Sequence, residues 1–259
     1  MRRIALLAAY LAVTARPGSG AAQDLRVFSS GGVAVAQQSM AARNSDGPRI
    51  TFTVAMPAVL QAKLSAGEPA DVIVAPVQLL DVLERANMLA VGSRITVARV
   101  GVGVAVRDGA ARPDVSSVAA LRVALLAAPS IVHPDPAQQG SVAGKAIDRM
   151  LTEMGLAAEL KPRTVYRQAI AGGVEMVAKG EAAFGLFNIS EILSIKGVAL
   201  AGPLPEEVQS YVVFAAAALT GSPAEKAART YLRTLLSTEA SPHWEAAGLE
   251  VVARFAPPH

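Results

Sequence analysis

From Asp24 onward, short β-branched runs alternate with longer segments whose apolar residues recur at helical spacing. Leu25-Arg26-Val27-Phe28 predicts a strand, ended by Ser29-Ser30-Gly31-Gly32, and Val33 to Arg43 predicts a helix. Arg49 to Val54 predicts a second strand, with a helix from about Pro57 to Ser65. Asp71-Val72-Ile73-Val74 reads as a buried strand and Val77 to Ala86 as the next helix. Strands separated by helices of this length imply βαβ units and a parallel sheet.

Thr96 to Arg107 breaks that rhythm as one long β-rich run, followed by a Gly-, Pro- and Ser-containing stretch from Asp108 to Ser117 that marks a boundary. A second βα series then begins. Leu121 to Leu126 leads to a strand, Ser141 to Met154 predicts a helix, and Val174 to Ala178 belongs to another. Ala183 to Phe187 predicts a strand, Ser190 to Ser194 a short helix, and Val198 to Leu200 a strand. Gly202-Pro203-Leu204-Pro205 interrupts the pattern before a second long β-rich run, Val208 to Ala218, and a helix from Pro223 to Leu236. Two long runs bracketing a βα series describe a chain that leaves one lobe, builds another and returns. The expected organisation is a leader over 1–22, a first lobe from 23–106 and 205–259, and a second lobe over 107–204.

The leader carries the pattern of a secretory signal: basic Met1-Arg2-Arg3, an apolar run from Ile4 to Val13, and small residues through Ala22. Its apolar core is shorter than the roughly 20 residues of a membrane helix. Cleavage near Ala22-Gln23 and a periplasmic location are therefore expected. Removal of Arg2, Arg3 and Arg16, with no acid, turns 24 Lys+Arg against 21 Asp+Glu into an even balance. A neutral mature chain offers no general field for nucleic acid or an anionic membrane, so attraction for an anion has to be local. There is no cysteine, which excludes disulfides and thiolate metal sites.

Three enzyme signatures fail on their own terms. Gly140-Ser141-Val142-Ala143-Gly144-Lys145-Ala146 lacks the first glycine and the final Ser/Thr of a P-loop. Gly101-Val102-Gly103 lies inside a strand and lacks the third glycine of a dinucleotide fingerprint, so close packing or a hinge is its better explanation. No Gly-Xaa-Ser-Xaa-Gly elbow is present. None of His133, His243 and His259 has a second ligand at metal-binding spacing. No metal and no cofactor is expected.

Four strand-to-helix junctions are candidates to meet at one cleft. Ser29, Ser30, Gly31 and Gly32 combine hydroxyls with backbone N–H groups at a helix start, which favours negative charge. Met56, ahead of Pro57, could line a pocket or enter the core. Gln139 and Ser141 precede a third helix, where Ser141 also suits an N-cap. Asn188 opens the fourth junction, with Glu191 as a helix-start charge. Arg163 and Arg167 are the basic candidates, since an arginine can clamp a carboxylate through two bonds.

Val27-Phe28-Ser29-Ser30-Gly31-Gly32, Ala66-Gly67-Glu68-Pro69-Ala70-Asp71 with Val72 to Ala75, Ala178 to Leu186, and Gly248-Leu249 resemble the periplasmic molybdate-binding proteins over nearly the whole chain. The resemblance implies a type II α/β fold of two lobes joined by crossover strands, with a cleft ligand, and ABC-transporter membrane subunits as partners. It also implies a monomer that binds no nucleic acid. Members of that family hold the oxyanion with serine hydroxyls from the first and second junctions and a tyrosine from the fourth. The matching positions here are Gly32, Met56-Pro57-Ala58 and Asn188. A buried oxyanion needs its charge satisfied by hydrogen bonds, so these departures point from molybdate towards an organic carboxylate. Asn188 to Leu193 and Gly202 to Pro205 resemble a divergent branch that handles organic acids, aconitate isomerase among them. The alternative is thus an isomerase on the same fold, whose base would come from Tyr166, His133, Asp135 or Glu191.

Overall fold

The computed structural model describes residues 24–43, 48–139 and 141–251. The expected leader over 1–22, Gly140 and His259 lie outside them. The first series runs β1 (Leu25–Ser30), α1 (Gly31–Arg43), β2 (Ile50–Ala55), α2 (Pro57–Ser65), β3 (Val72–Pro76) and α3 (Val77–Arg85). The long β4 (Ile95–Arg107) leads to α4 (Val118–Ala127), β5 (Ile131–His133), α5 (Val142–Glu153), α6 (Ala157–Leu160) and β6 (Thr164–Tyr166). Next come α7 (Gly173–Ala178), β7 (Phe184–Asn188), α8 (Ile189–Leu193) and β8 (Val198–Pro203). The return is β9 (Tyr211–Ala218), α9 (Glu225–Leu235), α10 (Ser241–Ala246) and β10 (Glu250–Val251). Leu121 to Leu126 lies inside α4, started by the Ser117 side chain accepting from Ala120 N–H, and β5 is the strand it leads to.

Pairing builds the same five-strand pattern twice. β2-β1-β3 are parallel, β9 is antiparallel to β3, and the first half of β4 is antiparallel to β9. Likewise β6-β5-β7 are parallel, the second half of β4 is antiparallel to β7, and β8 is antiparallel to β4. This is the mixed α/β architecture of type II periplasmic binding proteins, with β4 crossing between the two halves. Its partners change between Gly101, opposite Tyr211, and Val102, opposite Asn188. The Asp108–Ser117 stretch is the loop that follows β4 into α4.

At that change of partner the backbone is served by a side chain. The Gln209 amide accepts from Val102 N–H at 2.8 Å and donates to Val102 C=O at 3.0 Å. A buried strand position with no β9 residue beside it thus keeps both bonds on that side. Gly101 makes room for this amide, since a Cβ there would sit 2.9 Å from Gln209 Nε2. A Cβ on Gly103 would sit 2.6 Å from Leu200 Cδ1, which accounts for the Gly101-Val102-Gly103 spacing as close packing. The same use of Gln209 explains why β9 starts at Tyr211 and not at Val208, because residues 206–208 form a 3-10 turn. Gly202 and Pro203 end β8, where a missing N–H is tolerated.

Apolar side chains build a core in each half, and Ala143 of α5 joins that of the first. Val27, Val72, Val100, Phe214, Leu232 and Trp244 belong to one core on the first half, and Val104, Leu121, Ile131, Ile147 and Leu186 to one on the second. No helix among the described residues is long and apolar enough to cross a membrane.

Candidate functional site

The parallel strands of both halves point their carboxyl ends at one cleft. That end of a sheet, where strand order reverses, is where α/β proteins hold ligands. From the first half come Ser30, Gly31 and Gly32 after β1, Ala55, Met56 and Pro57 after β2, and Pro76 at the end of β3. Facing them are Pro134 after β5, Ser141, Val142 and Ala143 at the start of α5, Gln168 and Ile170 after β6, and Asn188 with Glu191 after β7. Val212 and Phe214 of β9 complete the lining, and part of the space is open to solvent.

Among the described residues, no Lys, Arg or His lines this space. Positive potential comes instead from helix starts: α1, α2, α3 and α5 all begin on it. The residues that precede α2, α3 and α5 (Met56, Pro76 and Ser141) form no side-chain cap, so those first-turn N–H groups have no side-chain acceptor. Unpaired N–H groups and the helix dipole make such ends receptive to negative charge, each by about 0.3–1 kcal/mol.

Polar atoms in the cleft are buried and unpaired. Ser30 is 3% exposed and Asn188 6%. Ser30 Oγ, Asn188 Oδ1 and Glu191 Oε2 have no hydrogen-bond partner, and neither does Ser190 Oγ, which lies next to Gly32. Buried groups of this kind are uncommon in a finished fold and call for a ligand or a water. Ser141 Oγ accepts only a long bond, 3.4 Å, from Gln168 Nε2.

Among the described residues, Glu191 is the one titratable residue in the lining. It stands three residues after Asn188, and its carboxyl accepts from the Asn188 backbone and side chain, as the acid of a capping box does. Burial still dominates and pushes the carboxyl up to about 7. A carboxyl raised above its ordinary 4.5 favours the fold below that value and loses this contribution as pH climbs through about 7. Glu191→Gln is therefore expected to gain stability relative to the parent between pH 5 and pH 8. Denaturant midpoints at the two pH values check this, and a constant difference would show that Glu191 is solvated.

The remaining sequence candidates stand elsewhere. Ser29 neighbours Ser30 on a strand and so faces the opposite side; its hydroxyl accepts from Gln37 Nε2 at 2.7 Å, and Tyr231 donates to the same amide. Gln139 borders an adjoining recess together with Pro57, Pro76 and Val142. Arg167 is exposed and reaches only Ala171 C=O, while Arg163 donates to Ala128 C=O. His133 is buried behind the cleft, its Nδ1 facing Pro134 C=O at 3.0 Å, and burial lowers its pKa. Tyr166 is 44% exposed, edge-on to His133, and Asp135 accepts from Ala137 N–H. Gln168, Ile170 and Phe214 line the cleft without any local sequence signal, being placed by a turn and by the returning strand. Among the described residues no cluster of His, Asp and Glu could hold a metal ion.

The family model described as bacterial extracellular solute-binding protein matches residues 25–250. A curated aconitate isomerase from Pseudomonas sp. is 28% identical over 256 residues, covering 96% of both chains. The periplasmic molybdate-binding protein of Azotobacter vinelandii superposes with a TM-score of 0.72 at 17% identity, over 91% of this chain and 100% of that one. PEB3 of Campylobacter jejuni with L-phospholactate bound gives 0.69 at 15% identity, over 88% and 99%.

Proposed function

The chain belongs to the bacterial extracellular solute-binding protein family, and from that premise we propose that it captures a small organic di- or tricarboxylate between its lobes. It would deliver this anion in the periplasm, as a monomer, to the membrane subunits of an ABC-type transporter. The observation that carries the proposal is the donor-rich cleft, which no arginine lines among the described residues: four helices open onto it, and the buried Ser30 hydroxyl there has no partner. Such a site suits a charge spread over several oxygens, each met by an N–H or O–H. The likeness to a phospholactate-bound protein supports an organic anion, and the likeness to a molybdate-binding protein keeps an oxyanion as the competitor.

A thermal-stability screen tests this. At 100 times its dissociation constant a ligand stabilises by about 2.7 kcal/mol. A di- or tricarboxylate at millimolar concentration is expected to raise Tm by several degrees, more than molybdate or tungstate. No shift with any of these anions would remove the proposal.

Glu191 favours a second reading, isomerisation of a tricarboxylate. It is a buried carboxyl that titrates near neutral pH and lines the cleft, which suits a group that takes a proton from one carbon and returns it to another. The aconitate isomerase relative supports the same idea. Conversion of trans- to cis-aconitate by the purified protein, lost in Glu191→Gln, is the expected sign, and no conversion at high protein concentration would eliminate it.

A further inference from the structure

A site built for a fully deprotonated oxyanion needs donors only. This cleft also presents two buried acceptors, Asn188 Oδ1 and Glu191 Oε2, that nothing in the fold satisfies. Asn188 is held with its side chain donating to Glu191, so its oxygen is the free end of the amide. A bare anion oxygen pressed against an ionised Glu191 would leave two negative groups in contact without a proton between them, which is strongly unfavourable in a buried setting.

We infer that the cleft selects an organic acid that keeps one O–H for Glu191, either an alcohol or a carboxyl that shares a single proton with it. This rests on the anion-capture proposal above and specifies its ligand chemistry. Ser30, Ser141 and the helix starts meet the carboxylates, while Asn188 and Glu191 meet the hydrogen-bearing end. Above neutral pH, where Glu191 is ionised, molybdate and sulfate bring no O–H for it and are disfavoured by the same pair.

The surroundings leave Glu191 as the group that responds to pH. α1, β4, β7 and β8 pack on α8, and Gly248 after α10 lies against Ile189 and Leu193 of the same helix. β7 and β8 carry no titratable side chain. Arg43 ends α1 and Arg107 ends β4. Arg99 is paired with Glu250 and lies over the Tyr211 ring. None of the three lines the cleft, and no neighbouring charge contributes to the position of the Glu191 titration.

The test compares citrate with tricarballylate, which differ in one hydroxyl, and with molybdate, by calorimetry on the intact protein from pH 5.5 to 8.5. For tricarballylate the affinity is expected to fall about tenfold per pH unit above neutrality, as uptake of one proton requires. Citrate, whose alcohol donates to the ionised carboxylate, should give a flatter profile. In Glu191→Gln, whose amide can donate without titrating, the tricarballylate slope should disappear. Molybdate should bind at least 100-fold more weakly than citrate at pH 8. Parallel citrate and tricarballylate profiles in the parent, or molybdate binding as tightly as citrate, would overturn the inference; neither readout requires the variant to fold. Binding of no anion at any pH would instead overturn the capture proposal beneath it.

Discussion

Replacing Ser30 and Ser141 together by alanine lowers ligand affinity by about 100-fold or more, yet leaves the empty protein about as stable as the parent. A hydrogen bond to a charged group contributes about 1.5–3 kcal/mol, and each 1.4 kcal/mol is tenfold in affinity. One hydroxyl comes from each side of the cleft, so a ligand bridging the lobes loses a contact to both. In the empty protein the Ser30 hydroxyl is buried without a partner, and deleting it removes an unsatisfied group. Ser141 makes no cap bond to α5 and holds Gln168 only at 3.4 Å, so its loss is also mild. Calorimetric titration with citrate, paired with thermal melts of the empty variant, separates the two effects. Unchanged affinity with a lowered melting temperature would assign these hydroxyls to the fold.

Asp71→Ala destabilises the protein by about 3 kcal/mol, the lower end of the range for breaking a buried ion pair. The Asp71 side chain is 1% exposed and that of Arg26 39%, which moderates the penalty for the arginine left behind. Asp71 accepts from Arg26 N–H at 2.8 Å, from Nε at 2.9 Å and Nη2 at 2.8 Å, and from Ser222 Oγ at 2.7 Å. Burial works to raise its pKa, and the bonds from Arg26 and Ser222 more than offset that, leaving it below the usual carboxylate range. Such a group loses its stabilising contribution as pH falls through the acid range. Asp71 ties the start of β3 to β1 and to the loop after β9, so three parts of the first half depend on it. Denaturant unfolding at pH 7 measures the loss; a change under 1 kcal/mol would mean that the pair is solvated in solution.

The sequence made some of this legible and hid the rest for identifiable reasons. The start of α2 follows from Pro57, which fits a first helical turn, and the long β4 follows from a run in which β-branched residues recur among small ones. Junction residues such as Ser30, Met56, Ser141 and Asn188 were visible because each sits between a strand and a helix, and all four line the cleft. Ser29 and Ser30 could not be told apart that way. β1 runs two residues past Phe28, and the alternation of a strand decides which hydroxyl faces the cleft. Arg163 and Arg167 drew attention as charges, but both bond backbone carbonyls of their own half. Gln168, Ile170 and Phe214 reach the cleft only through tertiary placement, and the role of Gln209 at the crossover depends on β4 changing partners beside it.

Glu191 shows the same limit in energetic form. As a residue three positions after Asn188 it reads as an ordinary capping acid, and it does accept the Asn188 N–H. Only its burial in the cleft turns it into a group that titrates near neutral pH.

Calorimetric titration of the intact protein at pH 6.5 with citrate, tricarballylate, trans-aconitate and molybdate tests the central claim most directly. One-to-one binding of at least one carboxylate, tighter than molybdate and weakened by Ser30→Ala, is the predicted result. Tight molybdate binding with no heat from any carboxylate would contradict it.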